Sequence, residues 1–150
     1  GEDYVDLVLT QTPEILASYP FQFEFHAIYS LMPNGFRTAF LVQNLDEKVM
    51  PFCVGGHPAF NCPMEEDAQF SDYDVIFEKD EDGKVATFDS TGMITGEEGK
   101  GKHAKYLCLE PWHGIPAAVS ESGRLDEKPY VTLLSPGETY TTWFDVLWDL

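Results

Sequence analysis

Residues 19–31, YPFQFEFHAIYSL, alternate with a period of two: Phe21, Phe23, Phe25, Ala27, Tyr29 and Leu31 share one face. Gln22, Glu24, His26 and Ser30 share the other, with Ile28 as the exception. Because successive side chains of a strand point to opposite sides, this pattern predicts a half-buried strand. MPNG (32–35) reads as a turn, and FRTAFLVQN (36–44) as the antiparallel partner in a hairpin. Further strands are predicted at VDLVLT (5–10), DYDVIFE (72–78), KVATF (84–88), YLCLE (106–110), YVTLL (130–134) and YTTWFDVLW (140–148). DEDG and SPGE between them are turns, and helical signals are short, around PEILASY and EEDAQF. Many short strands separated by turns predict an all-β fold, an antiparallel β-sandwich or barrel.

Residues 89–105, DSTGMITGEEGKGKHAK, break the rhythm: the stretch is glycine-rich and offers little to pack. A loop of that length inside a compact sandwich is uncommon. The chain therefore reads as a single domain over residues 1–150, with a weak seam near 89–105.

Composition narrows the function. A length of 150 residues with 43% hydrophobic and 14% aromatic content suits one folded core and excludes disorder over most of the chain. The formal charge of −17 repels phosphate backbones and anionic lipid, so nucleic acid and membrane surfaces are not expected partners. It also favours a neutral substrate over a phosphorylated one. Cys53, Cys62 and Cys108 cannot all pair, form no CxxC and sit among apolar residues. The expectation is buried, reduced thiols in a cytoplasmic protein. No apolar run reaches membrane-spanning length, and no basic-then-apolar leader is present.

Two segments carry candidate chemistry. In PFCVGGHPAFNCPM (51–64), Pro58 restricts His57 to extended backbone, while Gly55 and Gly56 permit close approach to other groups. His57 is then either a core histidine satisfied by a backbone carbonyl or a group facing a pocket, with Asn61 four residues on as a ligand or turn partner. In YLCLEPWHGI (106–115), Tyr106, Cys108 and Glu110 alternate with Leu107 and Leu109, and Pro111 stops the ladder. Glu110 either points into water or is partly desolvated beside Trp112, which would raise its pKa toward that of a general base. Trp112 is either core or a stacking surface for a sugar ring, and His113 beside it either part of a core or surface aromatic pair or a further polar group.

Taken in order, GGHPAFNCP, FSDYDVIFE, YLCLEPWHGI and GRLDEKPYVTLLSPGETY resemble the galactose mutarotase (aldose 1-epimerase) family, in its bacterial mutarotase-related branch. YPFQFEFHAIYSL and FRTAFLVQNLDEKVMPF extend the resemblance over most of the chain. It implies a galactose mutarotase-like supersandwich, here incomplete, with a sugar pocket in its concave face. It further implies His57 as the general acid that protonates the ring oxygen, and Glu110 as the general base that deprotonates the anomeric hydroxyl. Such ring opening needs no cofactor and no metal. The resemblance also implies a pocket with an upstream histidine and arginine, and with several more strands and an aspartate-bearing loop between GMITG and KYLCLEP, that have no counterpart in this sequence. His26 and Arg37 sit in strand contexts that do not match them. A sandwich shortened in this way exposes strand edges that favour a homo-oligomer.

The expected function is therefore an aldose 1-epimerase-like protein interconverting the anomers of a free hexose of galactose or glucose type. The alternatives are a non-catalytic carbohydrate-binding β-sandwich, or a structural domain that pairs with a partner chain. DEDGK (80–84) lacks the spaced ligands of a calcium loop and reads as a turn. The acidic run EEDAQFSDYD (65–74) reads as a solvated loop, with a cation site as the alternative, and His26, His57, His103 and His113 show no zinc spacing. GxSxG and P-loop motifs are absent from the sequence.

Overall fold

The computed structural model describes residues 3–79, 85–88, 90–91, 94–99 and 106–148. In chain order the elements begin β1 (Tyr4–Thr10), α1 (Pro13–Ser18), β2 (Phe23–Met32), β3 (Gly35–Asn44), β4 (Met50–Phe52), β5 (Val54–Gly55) and β6 (Ala59–Asn61). They continue with β7 (Val85–Phe88), β8 (Ile94–Gly99), β9 (Tyr106–Cys108), β10 (Trp112–His113), β11 (Thr132–Leu134) and β12 (Thr139–Leu147).

The four long strands form one antiparallel sheet in the order β1–β2–β3–β12. Its register follows the alternation in the sequence. Phe25 lies opposite Val42 and Leu9, and Val42 opposite Tyr140, so these side chains share the inner face. Pro33 and Asn34 make the tight turn between β2 and β3. Four short ladders complete the described fold: β4 with β11, β5 with β10, β6 with β9, and β7 with β8.

The core lies where the inner face meets β4 and β11. Phe23, Val42, Met50, Phe52 and Leu134 are buried together, with Ile15 and Tyr19 packed over them from α1 and its C-terminal end. α1 starts at Thr12, whose side-chain oxygen accepts from the Ile15 amide, and Pro13 follows at the first turn, where no amide donor is needed. The Tyr19 hydroxyl donates to the Pro51 carbonyl, and burial pushes its pKa up to about 12. Asn44, fully buried, joins three segments. Its Nδ2 donates to the carbonyls of Lys48 and Leu134, and its Oδ1 accepts from the Asp46 amide.

Three expectations need correction. Residues 73–77 of the predicted strand DYDVIFE form no ladder, although Tyr73, Val75 and Phe77 alternate. A strand needs a neighbour to take its backbone groups, and Ile76 is 90% exposed there. Second, residues 94–99 of the glycine-rich stretch are a strand, paired with β7 across an irregular register. The rest of that stretch, and the DEDGK turn, lie mainly or wholly outside the described residues. Third, only Cys62 is buried; Cys53 is exposed and Cys108 intermediate, and all three are free thiols. Cys53 falls between β4 and β5, past the end of the buried run Met50–Phe52, which explains its exposure. The helical signal at EEDAQF resolves to turns and a single 3-10 turn over Phe70–Asp72.

Candidate active site

The site forms where two short ladders end on the inner face of β12. In the β6–β9 ladder, Ala59 lies opposite Cys108 and Asn61 opposite Tyr106. The same register carried two residues further sets His57 opposite Glu110. Because side chains alternate along a strand, Cys108, Glu110 and His57 then fall on one face. The hydrogen bond from the Leu109 amide to the Pro58 carbonyl holds that register past the ladder's end. His57 Nε2 and Glu110 Oε1 meet at 2.9 Å.

The neighbouring ladder positions the indole. Trp112 pairs with Gly55, and His113 with Val54. Trp112 Nε1 donates to the Gly56 carbonyl at 2.8 Å, and the Gly56 amide donates to the Pro111 carbonyl. The glycine pair is required here for space. A Cβ on Gly55 would stand 2.9 Å from the Trp112 Cα, and one on Gly56 would stand 2.6 Å from the Phe144 ring. The Trp112 ring centre lies 6.4 Å from that of His57. His113 packs edge-on against Tyr140, and its Nε2 lies 3.0 Å from Thr142 Oγ1. Both partners belong to β12, so the long sheet serves as the platform for the site.

A cleft of about 370 Å³ opens here, lined by Cys53, Val54, His57, Trp112, His113 and Ile115, among others. A smaller hollow of about 120 Å³ lies behind it, between the Trp112 ladder and Phe40, Thr142 and Phe144. The structure thus brings four of the five singled-out residues together: His57, Glu110, Trp112 and His113. Asn61 shares the face of His57, but four extended residues separate them by about 13 Å of strand, and it does not line the cleft. The Glu110 side chain is 37% exposed, more open than a desolvated strand end would be. Reasoning from sequence missed Thr142, Phe144 and Cys108. The first two lie thirty residues away in the chain, and only the sheet register brings them in. Cys108 did carry a signal, its alternation with Glu110.

His26 and Arg37 lie on the opposite, outer face of the sheet. His26 sits between Asp6 and Glu24, and Arg37 pairs bidentately with Asp145 under Trp143. Neither reaches the cleft.

An antiparallel sheet with short strand ladders set against its inner face is the architecture of a galactose mutarotase-like protein. The sequence profile of the aldose 1-epimerase family matches residues 1–102, and the chain belongs to that family. Protein LacX of Lactococcus lactis subsp. lactis, in its plasmid and chromosomal forms, is 26% identical over 205 residues. That alignment takes in 97% of this chain and 69% of LacX. A galactose mutarotase-like protein from Lactobacillus casei ATCC 334 superposes with a TM-score of 0.78 at 20% identity, over 95% of this chain and 69% of that one. A galactose mutarotase related enzyme from Lactobacillus acidophilus superposes at 0.73 with 19% identity, over 97% and 67%. The LacX alignment runs over 205 positions against a chain of 150 residues, so at least a quarter of those positions have no counterpart here. Among the described residues, no helix is long and apolar enough to cross a membrane.

Proposed function

We propose that the chain is an aldose 1-epimerase acting on a free hexose, with Glu110 as general base and His57 as general acid. The observation that supports this most is the 2.9 Å contact between His57 Nε2 and Glu110 Oε1 beside the Trp112 indole. Anomer exchange needs one proton removed from the C1 hydroxyl and one delivered to the adjacent ring oxygen. A carboxylate and an imidazole in contact are the two kinds of group that this exchange of protons requires. A pyranose entering the cleft would part them, offering its C1 hydroxyl to Glu110 and its ring oxygen to His57. Proton transfer to Glu110 and from His57 breaks the C1–O5 bond and leaves the open-chain aldehyde. Rotation about C1–C2 and the reverse transfers close the ring on its other face and restore both groups. Trp112, 39% exposed, would offer its ring to the apolar face of the sugar. The net charge of −17 favours a neutral sugar over a phosphorylated one.

The test is polarimetry of freshly dissolved α-D-glucose and α-D-galactose with the wild-type chain, with Glu110→Gln and with buffer. Loss of a general base typically lowers the rate by about 10²–10⁴-fold, so Glu110→Gln should fall to the buffer rate. A folded wild-type sample that matches buffer on both sugars would remove the proposal.

A second reading is favoured by the aligned positions without a counterpart here: a sugar-binding protein that does not turn its ligand over. Much of the rate in such enzymes comes from positioning, and a shortened pocket positions less. Calorimetric binding of galactose without acceleration of mutarotation would decide for that reading.

A further inference from the structure

The face that joins His57 to Glu110 carries a third group of different chemistry. Cys108 lies two residues before Glu110, and the donor atoms of His57, Cys108 and Glu110 all fall within 4.8 Å of one another. The geometry points to a transition-metal site of the zinc class, held by His57 Nε2, Cys108 Sγ and Glu110 Oε. The donor set selects the ion. An imidazole nitrogen, a thiolate and a carboxylate oxygen are all zinc ligands, and three protein ligands leave the fourth position of a tetrahedron open. A thiolate in the set disfavours magnesium and calcium, which prefer oxygen throughout.

The distances fit after small movements. With bonds of about 2.0–2.3 Å to zinc, tetrahedral donors stand roughly 3.3–3.5 Å apart. The His57–Glu110 contact of 2.9 Å needs to open by a few tenths of an ångström, and the widest pair, within 4.8 Å, to close by up to about 1.5 Å. His57 and Glu110 have exposed side chains, 57% and 37%, so their rotation accommodates both changes. Cys108 is the fixed member, in the ladder opposite Ala59. The cleft beside His57 gives the ion an entry path. On binding, the Cys108 thiol releases its proton to solvent and forms the sulfur–metal bond, and His57 binds as neutral imidazole. Where the epimerase reading holds, the ion takes both proton-transfer groups, so the loaded site would be an inhibited state.

Cobalt(II) tests the site without any sugar, because it takes tetrahedral zinc sites and reports its ligands by colour. The full chain, stripped with chelator and kept reduced with a phosphine, is titrated with Co²⁺, followed by Zn²⁺. The expected result is one equivalent bound, visible d–d bands and a near-ultraviolet thiolate-to-cobalt band, all erased by zinc. Cys108→Ser should lose the thiolate band and bind at least tenfold more weakly. Glu110→Gln should also weaken binding at least tenfold with its fold intact by circular dichroism, and His26→Asn, on the outer face of the sheet, should behave as wild type. A colourless titration, or a thiolate band that survives Cys108→Ser, would overturn the assignment. If the metal-free chain accelerates mutarotation, one equivalent of zinc should abolish it and chelator restore it; full turnover at full occupancy would place the ion elsewhere. A chain inactive on every sugar counts against the epimerase reading alone, since the cobalt spectrum is read without substrate.

Discussion

The four-stranded sheet and the two ladders that carry the site are both antiparallel β-structure, yet different forces hold them. β2 and β3 pair over ten residues and β3 and β12 over nine, and the alternating side chains of each strand fix its register. A slip of one residue would turn Phe23, Phe25, Phe40 and Val42 out of the inner face. β5–β10 pairs over two residues and β6–β9 over three, and no run that short specifies its own register. Single contacts specify it instead: Trp112 Nε1 on the Gly56 carbonyl, the Leu109 amide on the Pro58 carbonyl, His113 against Thr142. The sheet is built by pattern and the site by individual fits against it. The sheet should therefore answer to changes of buried volume, and the site to changes of one atom at a close approach.

The largest expected effect is in the shared core. Met50 is 1% exposed among Phe23, Val42, Phe52 and Leu134. Met50→Ala should cost about 2–5 kcal/mol, because the vacated volume cannot fully close. At the size of this chain that lowers Tm on the order of 10 °C, and tryptophan emission and far-ultraviolet circular dichroism should fall together. Asn44→Ala comes next, leaving the Lys48 and Leu134 carbonyls and the Asp46 amide without its side chain. A buried polar group left unsatisfied costs about 1–3 kcal/mol, so thermal denaturation should again move in both probes. If either variant released only the site and spared the sheet, the sheet could not be its platform.

Gly55→Ala separates the regions. Its Cβ would meet Trp112 Cδ1 at 2.5 Å and Trp112 Cα at 2.9 Å. Overpacking of this kind costs about 1–3 kcal/mol, and a two-residue ladder can relieve it by opening. The expected outcome is altered tryptophan emission as Nε1 leaves the Gly56 carbonyl, with Tm reduced less than in Met50→Ala. A loss of Tm as large as that of Met50→Ala, with emission and circular dichroism moving as one, would show ladder and sheet to be a single cooperative unit.

The same contrast governs what sequence could reveal. β1, β2, β3 and β12 are legible because period two over seven to ten residues has few alternative explanations. The short helical signal around PEILASY becomes α1, where the structure adds the Thr12 cap. DYDVIFE shows the limit, since Tyr73, Val75 and Phe77 alternate as well as any strand, but alternation does not supply a neighbour. Within the site, His57, Glu110, Trp112 and His113 stand out through their glycine and proline context, whereas their pairing rests on the meeting of segments fifty residues apart. Thr142 and Phe144 look like ordinary inner-face residues of β12 until Gly56 and His113 are placed against them.

The smallest expected effect lies on the outer face, where nothing touches the cleft. His26 Nδ1 lies 2.9 Å from Asp6 and Nε2 lies 3.0 Å from Glu24, and hydrogen bonds to Glu24 and then Asp6 raise its pKa above the ordinary 6.5. A raised folded value means that the protonated ring stabilises the fold. That contribution is complete below the unfolded pKa and disappears as pH rises through the folded one. The Tm difference between wild type and His26→Asn should be widest near pH 5.5 and narrow steadily toward pH 8.5, and added salt should reduce it. Asp6 belongs to β1, the edge strand, so the effect should appear as loosening of β1, seen by amide exchange at Val5–Leu9, with the cobalt spectrum and any mutarotation rate unmoved. A difference that is flat or grows with pH would mean that the two carboxylates do not hold His26 protonated. A shift in the cobalt spectrum would mean that the outer face is coupled to the site through the sheet, and the division between pattern-built platform and contact-built site would have to be redrawn.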